Sequence, residues 1–250
     1  MATVAQMLEL GNEIAPLELA AAWDNVGLLA GNPGWNVERA MVALDLTSGA
    51  LREAIGGGGA QLIVTHHPIL FHGRKNLRED DGEGALLAEL VRARIALIAA
   101  HTNYDNAPEG LNDALAEALG LEDVGSLAHG LRAGMFFGSP EELLARAGER
   151  LGGTPRLYRG GRAVARVAVC GGAGGSFWPE AKEAGCDAYL TGEVRHHEAL
   201  AATEAGLTLI EAGHYHTERV MVKALRSRLQ MRANTLQYNV HVFGSSFEPF

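Results

Sequence analysis

Gln61-Leu62-Ile63-Val64-Thr65-His66-His67-Pro68 decides the reading of this chain. Leu62 to Val64 is a continuous apolar run, short enough for a strand covered on both faces. It ends abruptly in two imidazoles and a proline that stiffens the backbone beyond them. Upstream, Ala40-Met41-Val42-Ala43-Leu44 reads as another buried strand. A helix follows over 49–55, stopped by the Gly56–Gly59 run. Downstream, 84–94 reads as a helix, and Ile95-Ala96-Leu97-Ile98-Ala99-Ala100 as a third strand that delivers His101. The pattern β-α-β-α-β with short connections predicts a parallel sheet covered by helices. Such sheets hold ligands beyond the carboxyl ends of their strands, where both histidine groups of this half fall.

The second half has the same order. Strands are expected at 164–169, 187–191 and 207–211, with helices at 179–184 and 197–205. His196-His197 follow the second of these strands and His214-Tyr215-His216-Thr217-Glu218 the third. We therefore expect an α/β protein of two tightly packed lobes, 1–127 and 128–250, with internal quasi-duplication and a metal site between them at the strand ends. The C-terminal helix and strand are allowed to pack back on the first lobe. Smaller expectations are a helix from Val4 to Ala15 and a turn over 23–31. Between the halves we expect a strand over 131–138, a helix over 140–151 and a hairpin around Gly160-Gly161. After Glu218 a helix should run to about Gln230. Thr235 to Phe243 should be a strand with Leu236, Tyr238, Val240 and Val242 on one face.

The formal net charge of −9 argues against a protein built mainly to coat nucleic acid. Arg156, Arg159, Arg162 and Arg166 nevertheless cluster near the expected hairpin, and a single-stranded nucleic acid is kept as a less favoured partner. Cys170 and Cys186 lack the spacing of a zinc knuckle or redox pair and read as buried, reduced thiols. The first residues lack the layout of a signal peptide and no apolar run is membrane-length, so a cytoplasmic protein without membrane contact is expected.

Imidazole and carboxylate together are the usual ligands of a borderline transition metal. His214 and Glu218 are four apart at the start of a helix, which puts both on one face. Adjacent His66 and His67 would point opposite ways on an extended backbone and so address two ions. Asp105 adds a second carboxylate. His66, His67, Asp105, His214 and Glu218 are too many ligands for one tetrahedral zinc with an open position. They suit two ions about 3.5–4 Å apart. His101, His196, His197 and His216 are candidates for outer-sphere or proton-transfer roles, whereas His72, His129 and His241 read as surface or packing residues. The Gly171–Gly175 run reads as a tight turn rather than a phosphate loop, since it matches neither glycine fingerprint of nucleotide sites.

These stretches match one family in order: Trp23-Asp24-Asn25-Val26-Gly27-Leu28, Thr65-His66-His67-Pro68 with Phe71, His101-Thr102 with Asp105, Thr191-Gly192-Glu193 with His196-His197, and Gly213-His214-Tyr215 with Thr217-Glu218. Nearly end to end, the chain resembles the Nif-three-like proteins, labelled GTP cyclohydrolase 1 type 2 homologues. It is similar to the short form, which has only residues near 128–163 where longer members carry an inserted domain. The resemblance implies a two-lobed α/β fold and a dinuclear site with ligands His66, His67, Asp105, His214 and Glu218, the last bridging. It also implies a toroidal homohexamer with the sites facing an interior cavity. The expected cofactor is two divalent ions per chain, of zinc, iron, manganese, cobalt or nickel. The expected activity is a metal-dependent hydrolase in which Glu218 and His101 take part, acting on a nucleotide or other anionic small molecule. A metal-handling or scaffold ring, or a nucleic-acid-binding toroid, is the alternative.

Overall fold

The computed structural model describes residues 1–248 of the 250-residue chain. In chain order the strands are β1 (Ala2–Thr3), β2 (Gly27–Ala30), β3 (Asn36–Val37), β4 (Arg39–Ala43), β5 (Leu62–Thr65), β6 (Ala96–Ala99), β7 (Glu122–Ser126), β8 (Arg132–Gly138), β9 (Arg156–Tyr158), β10 (Val164–Cys170), β11 (Ala188–Thr191), β12 (Thr208–Glu211) and β13 (His241–Gly244). They fall in two compact units. One comprises Met1–Ala107 with the chain from Val222 onward, the other Pro108–Met221.

In the first unit a five-stranded sheet runs in the order β13-β4-β5-β6-β2. Its first four strands are parallel and β2 is an antiparallel edge. Every residue of β5 and of β6 is buried, which is what continuous apolar runs produce in a sheet covered on both faces. One face packs Met41, Ile63 and Leu97 against Leu51 and Leu90. The helix Val4–Ile14 starts on a capping box, in which Thr3 Oγ1 accepts from Gln6 N and Gln6 Oε1 accepts from Thr3 N. It buries Val4, Met7, Leu10 and Ile14, one stripe at helical spacing.

In the second unit a six-stranded sheet runs β7-β8-β10-β11-β12-β9. Its β10, β11 and β12 are parallel, while β8 and β9 pair antiparallel with β10 and β12. Leu143, Ala147 and Leu151 of the helix Pro140–Leu151 pack on Val167, Leu190 and Ile210. Cys170 and Cys186 are both buried thiols. Among the described residues, no helix is long and apolar enough to cross a membrane.

Three local expectations are corrected. The hairpin around Gly160-Gly161 does not form, because Leu157 pairs with Ile210 of β12 and not with the strand that follows it. Gly160 N and Gly161 N instead donate to Thr208 Oγ1, which holds the turn against β12. The alternation from Thr235 is not a long strand. The helix Val220–Thr235 consumes its start, Gln237 breaks the backbone at φ 57°, and only His241–Gly244 pairs. Within the expected turn over 23–31, Gly27–Ala30 is a strand, paired with β6.

Candidate metal centre

In the first unit, β5 and β6 stop level with each other, and three imidazoles follow them. His66 N and His67 N both donate to Leu44 O, at 3.1 Å each, and Thr65 Oγ1 donates to His67 O. The backbone therefore bends immediately after Thr65. The two rings do not diverge as an extended chain would require. They lie 4.9 Å apart between centroids, and the His101 ring lies 5.0 and 5.4 Å from them. One ring nitrogen from each of the three lies within 4.8 Å of those of the others, an arrangement that suits a metal ion. Asp105, on the short helix Thr102–Asn106, brings Oδ1 to 3.5 Å from His66 Nε2.

In the second unit, Gly213 turns the chain at φ 89° from β12 into the helix His214–Glu218. His214 Nε2 and Glu218 Oε2 are 3.1 Å apart, as the four-residue spacing predicts. Two ligands at about 2.0–2.1 Å from a tetrahedral ion stand roughly 3.3–3.4 Å apart. The His66–Asp105 and His214–Glu218 pairs are both close to that separation.

The opposite ring nitrogens share one arrangement. His66 Nδ1 lies 2.9 Å from Ala100 O, His67 Nδ1 2.8 Å from Asp45 Oδ1, His101 Nδ1 3.0 Å from Asp24 Oδ1, and His214 Nδ1 2.9 Å from Glu193 Oε1. All four partners are acceptors, so each Nδ1 donates, and in the neutral imidazole each Nε2 then keeps its lone pair. This is the pattern by which proteins orient imidazoles toward a metal.

Asp24, Asp45 and Glu193 are the residues whose roles the sequence did not reveal. Asp24 is the most constrained. Its side chain is 0% exposed. Oδ1 accepts from His101 Nδ1 and Asn25 N, and Oδ2 accepts from Thr102 N and Thr102 Oγ1. Burial alone would raise its pKa, but the hydrogen bonds from His101 and Thr102 outweigh it and the pKa is lowered. Burial lowers the His101 pKa, with His66 adding to the effect and Asp24 opposing it. His101 is thus held neutral with Nε2 available.

The Gly171–Gly175 turn serves the second pair. A Cβ on Gly172 would lie 2.2 Å from Glu218 Oε1 and 3.2 Å from His214 Nε2. Gly172 also sits at φ 64°. Gly172→Ala is therefore expected to cost about 1–2 kcal/mol from the left-handed backbone alone. It should also push the Glu218 carboxylate aside, so the thermal denaturation midpoint should fall, together with any metal that the native protein retains on purification.

The remaining histidines are placed elsewhere. His196 and His197 are exposed at the start of the helix His196–Glu204. The His216 ring packs on Gly152 and Gly153, with Nδ1 buried and without a hydrogen-bond partner among the described residues. His129 stacks on Phe177, His241 stacks on Phe243, and His72 meets Phe71 edge-on. Of the clustered arginines, Arg156 lies against Glu211 and Arg159 against Glu141, which offsets the charge a nucleic acid would need.

The chain is similar to known proteins in sequence and in fold. The model of the family described as Duf34/NIF3 (NGG1p interacting factor 3) matches residues 2–249. A Streptomyces coelicolor protein named GTP cyclohydrolase 1 type 2 homolog is 36% identical over 235 residues, covering 87% of this chain and 82% of its own. A Helicobacter pylori protein named GTP cyclohydrolase 1 type 2 is 32% identical, covering 88% of each. Among solved structures, reduced HcgD from Methanocaldococcus jannaschii is 30% identical with a TM-score of 0.83, covering 98% of both chains. Staphylococcus aureus protein SA1388 is 27% identical with a TM-score of 0.93, covering 99% of this chain and 98% of its own.

Proposed function

The chain belongs to the Duf34/NIF3 family, and on that footing we propose that it is a metal-dependent hydrolase acting on a nucleotide or phosphorylated small molecule. The observation that carries the reading is the pinning of Nδ1 on His66, His67, His101 and His214 by oxygen acceptors, which turns four Nε2 lone pairs to ligand or base duty. In this reading His66, His67, Asp105, His214 and Glu218 would be the ligands of a dinuclear centre, with Glu218 as the carboxylate that would bridge the two ions. The two units are then copies of one α/β half, each contributing imidazole and carboxylate.

Two divalent ions at such a centre would lower the pKa of a bound water and supply positive charge for a developing anion. The protein's own groups do the rest. Asp24 keeps His101 in the Nδ1–H tautomer, so that Nε2 accepts the proton released in hydrolysis and returns it to the leaving group. Asp45 and Glu193 hold His67 and His214 in place. The two carboxylates among the five ligands do not neutralise two divalent ions, and the residual positive charge favours an anionic substrate. A homohexameric ring is part of the same proposal and rests on the family resemblance.

Elemental analysis of native-purified protein, with the same preparation assayed against GTP and a panel of phosphoesters, tests the reading. We expect two divalent ions per chain and metal-dependent turnover. Two ions without turnover on any substrate would move the assignment to metal handling. A protein that takes up no metal even after supplementation would remove the centre altogether.

A further inference from the structure

Trp23 and Phe71 are 63% and 42% exposed, on two loops that border the three-imidazole group of the first unit. Neither loop hangs free. Asn25 Nδ2 donates to Leu70 O at 2.6 Å, which ties the turn carrying Trp23 to the loop carrying Phe71. Next to Trp23, Asp24 is fixed by its four hydrogen bonds. Pro68 stiffens the start of the second loop. The indole and phenyl rings consequently meet edge to face, with centroids 5.7 Å apart and planes at 60°. The His101 ring stands 6.2 Å from Trp23 and 6.3 Å from Phe71.

A single exposed aromatic side chain needs no explanation. Two of them, locked together by a hydrogen bond between their loops and abutting three imidazoles that could hold a metal ion, call for one. His72 also meets Phe71 edge-on, yet both rings keep aromatic surface open to solvent, the indole most of all. Apolar walls that hold a molecule, beside a few convergent polar groups that orient it, make up the composition of a small-molecule site.

We propose that Trp23 and Phe71 form an aromatic platform on which a flat heteroaromatic ring of the substrate stacks, its edge toward His66, His67 and His101. The position of the reacting atom rests on the hydrolase reading; the stacking itself does not depend on turnover. Aromatic faces attract other π-systems in offset or edge-on arrangements, and base–aromatic stacking tolerates any base. A sugar phosphate has no π-face to offer. The platform therefore selects a nucleobase-like substrate over an aliphatic phosphoester, a choice that the charge of a metal centre alone does not make.

The test is equilibrium binding of guanosine 5′-monophosphate and of ribose 5-phosphate to the full-length, metal-supplemented protein. The nucleotide should bind at least about tenfold more tightly, the scale of one base–aromatic stack. Trp23→Ala and Phe71→Ala should each weaken nucleotide binding by about tenfold and leave ribose 5-phosphate unchanged, while Trp23→Phe retains most of the affinity. The nucleotide should quench indole emission in the native protein, and the quench should vanish in Trp23→Phe, which keeps Trp35 and Trp178. Absence of nucleotide binding to the native protein, or equal affinity in Trp23→Ala, would overturn the platform. So would a Trp23→Ala protein whose only change is its sedimentation coefficient, since the rings would then belong under a second copy. Stacking without turnover would leave the platform standing and the hydrolase reading lost. Turnover of GTP at native KM in Trp23→Ala would do the reverse.

Discussion

Glu218→Gln is expected to empty the proposed metal centre and abolish turnover while leaving the fold intact. Glu218 is 4% exposed, and its Oε2 stands 3.1 Å from His214 Nε2. The amide has nearly the shape of the carboxylate, so packing around it is preserved. What disappears is the negative charge and one of two ligand oxygens. Loss of an outer partner of a metal ligand typically costs about 10–100-fold in metal affinity or activity, and loss of a ligand proposed to bridge two ions should cost more. Metal content of the native-purified variant, its circular dichroism and its rate on any substrate turned over by the parent protein together decide the matter. A variant that kept both ions and full activity would show that the bridging assignment is mistaken. A variant that lost activity together with its fold would say nothing of ligation; for that reason His214→Gln, at a position that is only partly buried, belongs beside it. Both substitutions should produce the same loss of metal if the pair acts as one ligand set.

The central strands were legible because burial on both faces writes itself as an uninterrupted apolar run. Leu62-Ile63-Val64 and Ala96-Leu97-Ile98 show it in the first unit, Ala188-Tyr189-Leu190 in the second. Edge strands write no such signal. Glu122–Ser126 is exposed at every position, with Asp123 at φ 49°, and resembles a loop until it pairs with β8. Gly27–Ala30 was hidden behind the turn chemistry of Asp24-Asn25, and is a strand because β6 offers it an edge. The proposed ligand residues stood out by residue type at strand ends. The orientation of the imidazoles did not, since the convergence of His66 and His67 depends on Leu44 O accepting from both of their amides. Nor did the acceptors on Nδ1. Asp24 lies 77 residues before His101 and Glu193 lies 21 before His214, distances over which no local periodicity operates. The one sequence signal at Asp24 was its place in the Trp23–Leu28 motif.

Asp24→Asn is expected to be the most damaging conservative change in the first unit. Each carboxylate oxygen accepts two hydrogen bonds, from His101 Nδ1 and Asn25 N on one side, and from Thr102 N and Thr102 Oγ1 on the other. Thr102 Oγ1 cannot simply turn away, because it also accepts from Ala21 N at 2.9 Å. An amide supplies one acceptor and one donor. Whichever way it is flipped, its NH2 faces two donors in a place without solvent. Each buried group left unsatisfied costs about 1–3 kcal/mol, so a loss of about 2–4 kcal/mol is expected. For a protein of this size that is roughly 5–15 °C in Tm. The pH dependence fixes the sign. The Asp24 pKa is lowered on folding, so its contribution is fully present above the ordinary value of 3.8 and is lost as pH falls through the lowered one. Asp24→Asn should therefore be less stable than the parent at pH 7, and the difference should shrink on acidification below 3.8. The same substitution frees His101 to take either tautomer, so any turnover should fall by about 10–100-fold. Equal melting temperatures at pH 7 would mean that the carboxylate is not the acceptor of these four bonds. A lowered Tm with unchanged turnover would mean that Asp24 braces the loop and leaves the proton chemistry of His101 untouched.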